Sequence, residues 1–177
     1  MDYQNVLKER RSLRKYQEHT LSTDELEEII HEAQYAPSWK NSQTPRYYAA
    51  LSTVSKQQVI DALPTFNIKS TQNASVYIIT TFKSKIAGFD KNGQSDNEVG
   101  EGWGYYDTGL ANMALVLSAK EHDLDTLIMG IRDANQLRGA FSIPEDEVIV
   151  SVIAIGKGAL KPSMPLRLNT KDIMKIY

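Results

Sequence analysis

Five cationic side chains fall within eight residues near the amino terminus, at positions 8–15. The run contains the sequence Arg-Arg-Ser-x-Arg, in which Ser12 stands among Arg10, Arg11 and Arg14. Guanidinium groups have permanent charge and forked donors, so this arrangement suits a phosphate or another anion. Taken alone, a charge run is more often a solvated basic face. A nucleic-acid-binding arm is the third alternative, and it is disfavoured because no stacking aromatic is interleaved with the cations.

Two further segments carry groups suited to a planar ligand. Residues 36–45 are rich in small polar side chains, which together with exposed backbone amides suit the edge of a heterocycle. The strand-like residues 127–129 lead into Gly130, a strand end of the kind that presents backbone N–H groups to a ligand. Taken alone, each segment is more simply explained as an ordinary turn or connection. Arg167 in the tail is, by itself, a surface cation.

The composition excludes several other chemistries. The chain has 177 residues and no cysteine, so a disulfide, a thiolate zinc site, an iron–sulfur cluster and a thiol nucleophile are all absent. Its three histidines are scattered and form no H-E-x-x-H motif, so we expect no metal site. The 20 basic and 22 acidic residues give a net charge of −2, which disfavours nucleic acid and membrane surfaces as partners. With no apolar stretch long enough for a membrane span or a signal peptide, a cytoplasmic protein is expected.

The periodicity of apolar residues predicts an α+β fold. A helix opens at Ser22, which forms a capping box with Glu25, and it stops before Pro37. Residues 76–82 and 148–155 are predicted to be buried strands. The remaining elements are strands at 46–51 and 125–129, a helix at 55–63 capped by Ser55, a helix at 105–122, and a helix that starts at Asp133 and ends near Phe141.

The length of the chain suits one domain, residues 1–177. Residues 84–104 contain five glycines and mixed charges, so we expect a long mobile loop there, a candidate lid over a substrate. The aromatic residues Phe89, Trp103 and Tyr105 are candidate stacking surfaces for that substrate or, equally, simple packing groups. The tail, residues 159–177, has two prolines and is expected to wrap over another surface.

Together, the order and spacing of these motifs resemble the nitroreductase family of FMN-dependent oxidoreductases. The resemblance rests on the Arg-Arg-Ser-x-Arg opening, on Ala-Pro-Ser-x-x-Asn-x-Gln at 36–43, on the strand end before Gly130 and on Arg167. Phe66-Asn67, followed eight residues later by Ser75, is a further match. The resemblance covers almost the whole chain. It implies a central, mostly antiparallel sheet flanked by helices, and an intertwined homodimer with FMN at the subunit interface.

The resemblance also implies a set of FMN-binding residues. Arg10 and Ser12 match the positions that hold the FMN phosphate and ribityl chain, and Arg11 contributes there. Arg14 matches a cation near the N1–C2=O edge of the isoalloxazine ring, where positive charge stabilises the anionic reduced flavin. Arg167 matches the tail cation that returns to the phosphate. Family tails often have a second basic residue two positions earlier; here that residue is Pro165, which leaves Lys157 and Lys161 as substitutes.

Other matched residues surround the ring. Asn67 matches the residue that bonds the pyrimidine edge, and the backbone amides of Met129 and Gly130 match those that approach N5. Some members have a lysine three residues after the asparagine, where this chain has Ser70. The segment that the partner subunit contributes contains Pro37, Ser38, Trp39, Asn41 and Gln43.

The implied chemistry belongs to the cofactor, so no side-chain nucleophile is required. NADH or NADPH would deliver a hydride to FMN, and a nitroaromatic, quinone or similar conjugated acceptor would then take the electrons in the vacated place, a ping-pong cycle. Two alternatives keep the fold: an FMN-binding or storage protein, and a specialised flavin enzyme with low nitroreductase activity.

Overall fold

Four strands form one sheet at the centre of the structure, a computed structural model that describes residues 2–177. The strands are β1 (Pro45–Ala50), β2 (Val76–Lys83), β3 (Asp125–Met129) and β4 (Glu147–Gly156). Their order across the sheet is β1-β2-β4-β3, and all three pairings are antiparallel. The central strands β2 and β4 are buried on both faces, which explains their continuous runs of β-branched residues. The predicted α+β fold with a mostly antiparallel sheet is confirmed.

Helices cover both faces of the sheet. They are α1 (Tyr3–Glu9), α2 (Thr23–Ala33), α3 (Thr53–Asp61), α4 (Thr65–Ser70), α5 (Gly102–Glu121), α6 (Ala134–Phe141) and α7 (Thr170–Ile173). Alternate residues of β2 point to opposite faces, so Ile78 packs with α2 and α5, whereas Ile79 packs with α3 and α6. The two faces therefore have separate hydrophobic cores.

Local capping signals place two helix starts where the sequence predicts them. The Ser22 hydroxyl accepts a hydrogen bond from the Glu25 N–H at 3.1 Å, and the Asp133 carboxylate accepts one from the Gln136 N–H at 3.0 Å. The predicted start of α3 at Ser55 is wrong, because the Ser52 hydroxyl caps the helix by accepting from the Ser55 N–H at 3.1 Å. Helix α5 begins at Gly102, three residues before the predicted start.

Three short helices, α1, α4 and α7, have no counterpart in the sequence prediction. Each has at most seven residues, too few to show an apolar period. Helix α1 is capped by Asp2, whose carboxylate accepts from the Gln4 N–H at 2.9 Å. Helix α4 follows Pro64 and contains Asn67, one of the residues implied by the family resemblance. The start of α1 has a local signal in Asp2, whereas α4 has no side-chain cap and depends on packing.

An extended segment after α1 lengthens the sheet beyond β3. Ser12 forms a parallel bridge with Thr126, and the Leu13 N–H donates to the Thr126 carbonyl at 2.9 Å. The segment containing Arg10, Ser12 and Arg14 therefore lies along one edge of the sheet, and β1 forms the other edge.

Within residues 2–177, no helix is long and apolar enough to cross a membrane.

Replacing Gly104 with alanine is expected to lower the free energy of unfolding by about 1–3 kcal/mol, since a Cβ atom at this buried position would overlap the ring of Phe82. The exposed Gly139→Ala in α6 is the matched control, because a Cβ there meets open space. It should raise stability by about 0.5–1 kcal/mol through helix propensity alone. Urea unfolding of both variants measures the difference. Equal effects of the two substitutions would contradict close packing of α5 on β2.

Candidate functional site: two half-sites at opposite edges of the sheet

Three arginines, Arg10, Arg11 and Arg167, lie close together and form what we call the arginine cluster. Burial lowers the pKa of the Arg10 guanidinium below its usual range, and the neighbouring charges of Arg11 and Arg167 lower it further. The Nε atoms of Arg10 and Arg11 are buried and have no hydrogen-bond partner within residues 2–177. No ion pair to a carboxylate is formed by the three arginines within the same residues. Concentrated positive charge with unused donors suits a multiply charged anion such as a phosphate monoester.

The arginine cluster continues into polar groups along the same edge of the sheet. Arg14 and Ser12 are exposed, and Arg14 contacts the Ser12 carbonyl at 3.4 Å. Asn67 is only 7% exposed, and its Nδ2 donates to the Ile131 carbonyl at 3.3 Å, which joins α4 to the segment after β3. Gly130, between β3 and Ile131, is exposed and faces open space. The structure therefore brings together one set of the residues implied by the family resemblance.

Met129 belongs to this edge through its backbone alone. Its side chain is 3% exposed and packs in the core on the α3 and α6 face of the sheet. The side chain is therefore not available to a ligand, and a role for the Met129 backbone amide stays a prediction.

The second set of predicted residues lies in the 37–43 segment, which immediately precedes β1. Lys40, Asn41 and Gln43 have left-handed backbone conformations, with φ of 47°, 55° and 48°. Such conformations persist only where surrounding contacts hold them. Here the Gln43 N–H donates to the Ser38 hydroxyl at 3.0 Å, and the Trp39 N–H donates to the Asp107 carboxylate at 2.9 Å. Pro37 and Asn41 are exposed.

The two sets lie apart within one chain. The 37–43 segment leads into β1, whereas Ser12 lies outside β3, and β2 and β4 stand between those edge strands. Three strand spacings separate β1 from β3, about 14 Å. The structure therefore does not bring Pro37, Ser38, Trp39, Asn41 and Gln43 to the arginine cluster of the same chain.

A cavity of about 340 Å³ adjoins the 37–43 segment. It lies between the end of α2, the start of β1 and α5, and Asp107 and Ala111 form part of its wall. Tyr47 also lines it; burial raises the pKa of its phenol to about 12, and its hydroxyl has no partner within residues 2–177. Sequence reasoning missed Asp107, although it is the first charged residue in a helix rich in apolar and small residues, which was an available signal.

The aromatic residues proposed to stack on a substrate have neighbours in the structure. Trp103 packs against Trp39 with ring centroids 4.3 Å apart, and Tyr105 meets Phe82 edge-on at 4.8 Å. Tyr105 remains 49% exposed. Phe89 bridges to Ser95 through its backbone. A role for any of them toward a substrate stays a prediction.

The α+β fold, with its antiparallel sheet flanked by helices, is the architecture that the resemblance to FMN-dependent oxidoreductases implies. Residues 7–157 match the Nitroreductase family, and the chain belongs to that family. The resemblance found in the sequence is thus confirmed.

Three similar proteins are named as putative nitroreductases. Two of them, YdgI and YodC of Bacillus subtilis strain 168, are named putative NAD(P)H nitroreductases. YdgI is 24% identical to this chain, and the match covers 89% of each chain. YodC is 26% identical, and the match covers 90% of each chain. A crystal structure from Exiguobacterium sibiricum 255-15, in complex with FMN, is 25% identical, with a TM-score of 0.87. That match covers 100% of this chain and 98% of the other. The expectation of an NAD(P)H- and FMN-dependent enzyme agrees with these names.

Asp107 is expected to hold the 37–43 segment through its oxygen rather than its charge. Burial raises the pKa of this carboxyl above its usual 3.8, so the folded protein binds a proton more tightly than the unfolded chain. The free energy of unfolding therefore falls as pH rises through the folded-state pKa. Asp107→Asn keeps an acceptor for the Trp39 N–H and removes this pH dependence, and it should be at least as stable as wild type at pH 7.

Asp107→Ala is the contrasting variant, because it leaves the Trp39 N–H without its acceptor. We expect it to lose about 1–3 kcal/mol of stability. Urea unfolding of wild type and both variants at several pH values from about pH 4 to about pH 7 measures both effects. If Asp107→Asn is destabilised as much as Asp107→Ala at pH 7, the charge itself is what the fold requires.

Proposed function

We propose that the protein is an FMN-dependent oxidoreductase that takes a hydride from NADH or NADPH and reduces nitroaromatic, quinone or similar conjugated acceptors. The observation that carries the proposal is the arginine cluster, in which the Nε atoms of Arg10 and Arg11 are buried without partners. These groups fit the phosphate of FMN, with Arg167 as the third cation. When bound, FMN supplies the hydride acceptance and electron transfer that amino-acid side chains do not provide.

The remaining groups of this edge suit the other parts of the cofactor. Ser12 offers a hydroxyl to the ribityl chain, and Asn67 offers its amide to the pyrimidine edge. Arg14, exposed beside Ser12, would place a positive charge where negative charge develops on the reduced ring, which favours hydride acceptance. Met129 and Gly130 offer backbone amides on the same side. Lys157 is held by an ion pair with Asp123, so Lys161 is the freer candidate to assist Arg167 at the phosphate.

We further propose that the site is completed in a homodimer, by the 37–43 segment of the partner subunit. The separation of the two half-sites within one chain supports this assembly. An exposed stripe on α5 offers an apolar surface for it: Tyr106 is 58% exposed, Met113 is 38% exposed, and Gly109 between them allows close approach. Tail residues 163–177 are exposed throughout, with Leu166 fully so, as expected of a segment that wraps over a partner.

The proposed enzyme acts on two small planar molecules in turn. NAD(P)H and the acceptor would occupy the same place beside the ring, which is the ping-pong order, and neither nucleic acid nor a membrane takes part. The cytoplasm is the proposed location.

An absorption spectrum of the purified protein, followed by anaerobic addition of NADH or NADPH, tests the function. We expect a flavin spectrum that bleaches with a nicotinamide and returns when a quinone or a nitroaromatic is added. The faster nicotinamide identifies the preferred donor. A flavin spectrum that persists with both nicotinamides would instead indicate an FMN-binding protein, and a colourless protein that takes up no FMN would overturn the proposal.

A further inference from the structure

The loop between β2 and α5, residues 84–101, has an internal scaffold of its own. Its centre turns back on itself: the Asp90 N–H donates to the Gln94 carbonyl at 2.8 Å, and the Asp96 N–H donates to the Gly88 carbonyl at 2.8 Å. The Asp90 carboxylate also accepts from the backbone N–H groups of Asn92 and Gln94, each at 2.8 Å. These bonds link the two arms of the loop, and they support a fixed loop in place of the mobile lid expected from its glycines.

The scaffold closes around the indole of Trp103. Asn97 Oδ1 accepts from Trp103 Nε1 at 3.0 Å and from the Val99 N–H at 3.1 Å. On another side, Gly88 adopts a φ of +85°, and a Cβ atom at this residue would stand 2.7 Å from Trp103 Cδ1. The loop therefore restricts both the rotation and the position of the Trp103 ring.

Trp103 and the loop in turn contact the 37–43 segment at two neighbouring residues. The Trp103 and Trp39 rings lie 4.3 Å apart at an interplanar angle of 44°. Lys40 Nζ lies 2.6 Å from Asp96 Oδ2. Trp39 is therefore held at three points. Its N–H donates to Asp107, its ring packs against Trp103, and the following residue, Lys40, pairs with Asp96.

We propose that loop 84–101 is a fixed brace, and that Asn97 is a positioning residue that sets acceptor specificity by acting through Trp103 on Trp39. This inference rests on the proposed function, in which the 37–43 segment of the partner subunit, with Trp39, completes the FMN site beside which planar substrates bind. A ring held in one orientation favours acceptors with a large flat face, since the stacking contribution grows with the area in contact. The brace therefore favours two-ring conjugated acceptors over one-ring acceptors of the same chemical class.

The test compares kcat/KM for a two-ring and a one-ring quinone, a naphthoquinone and a benzoquinone. The ratio of the two values is insensitive to losses of total activity. Asn97→Leu removes the acceptor for the indole N–H, and we expect the ratio to fall by about threefold to tenfold, the effect of one lost hydrogen bond. Asn97→Asp keeps an oxygen acceptor for the indole N–H at that position and should retain the wild-type ratio. Glu98→Gln, an exposed residue of the same loop, is the control and should leave it unchanged.

A second measurement reports the relative orientation of Trp39 and Trp103 in the absence of substrate. The neighbouring, tilted indoles of Trp39 and Trp103 should give a coupled circular dichroism signal, which Asn97→Leu should weaken and Asn97→Asp should retain. Trp103→Leu should lower the quinone ratio at least as far as Asn97→Leu. Adding Asn97→Leu to Trp103→Leu should then lower the ratio no further, because Asn97 acts through that ring.

The possible results separate this inference from the function on which it rests. A wild type that bleaches with NAD(P)H, while Asn97→Leu keeps the wild-type ratio, overturns the positioning role alone. Additive effects of Asn97→Leu and Trp103→Leu also overturn it, because Asn97 would then act by another route. A wild type that does not bleach with either nicotinamide overturns the proposed function and the specificity role together.

Discussion

Arg10→Ala is expected to lose about a hundredfold in affinity for FMN while remaining folded. A guanidinium that donates two charge-assisted hydrogen bonds to a phosphate contributes about 3 kcal/mol, which corresponds to that factor. The fold should tolerate the change, since burial and the charges of Arg11 and Arg167 already lower the pKa of Arg10 and oppose its charge when no anion is bound. Removing Arg10 therefore relieves repulsion in the apoprotein.

Titration of FMN into apoprotein, followed by flavin fluorescence, measures the loss. Arg10→Lys retains the charge but not the two parallel N–H donors of the guanidinium, so its affinity for FMN should lie between those of wild type and Arg10→Ala. The exposed Lys91→Ala changes the net charge equally and should bind FMN as wild type does. Urea unfolding of the apoproteins checks that Arg10→Ala has not lost stability. Unchanged affinity in Arg10→Ala would show that the phosphate binds elsewhere.

Met113→Glu is expected to convert the protein to monomers and to lose FMN at the same time. The proposed dimer buries the α5 stripe, and an unpaired carboxylate in such an interface costs several kcal/mol. Because the partner subunit supplies the 37–43 segment in this assembly, each FMN site needs both chains. Dissociation and flavin loss should therefore follow the same dependence on protein concentration.

Analytical ultracentrifugation with detection at the protein and flavin bands measures both quantities in one experiment. Val54→Glu is the matched control: Val54 is 72% exposed on α3, which packs on the opposite face of the sheet, so this variant should remain a dimer with FMN. A Met113→Glu monomer that retains FMN would show that one chain holds the cofactor alone. A Met113→Glu dimer would place the interface away from the stripe.

Local sequence signals predicted most of the regular elements. Ser22 and Asp133 start their helices as predicted because a side-chain cap bonds a backbone group only three residues away. The sequence predicts strands β2 and β4 because a strand buried on both faces has a continuous run of apolar residues. The start of α3 was misplaced because Ser52 and Ser55 are both capping residues, and only the folded backbone decides which hydroxyl accepts the bond.

The sequence by itself determined the family and the chemical types at the site, because the arginines, Ser12, Asn67 and the 36–43 motif stand at characteristic spacings. Only the tertiary structure decided that these residues lie in two sets at opposite edges of the sheet, since strand order does not follow chain order. The tertiary structure alone also shows which distant residues hold Trp39 and Lys40 in place. The bond from the Trp39 N–H to Asp107 spans 68 residues and the Lys40–Asp96 contact spans 56, and such pairings arise from the packing of distant elements rather than from any local pattern.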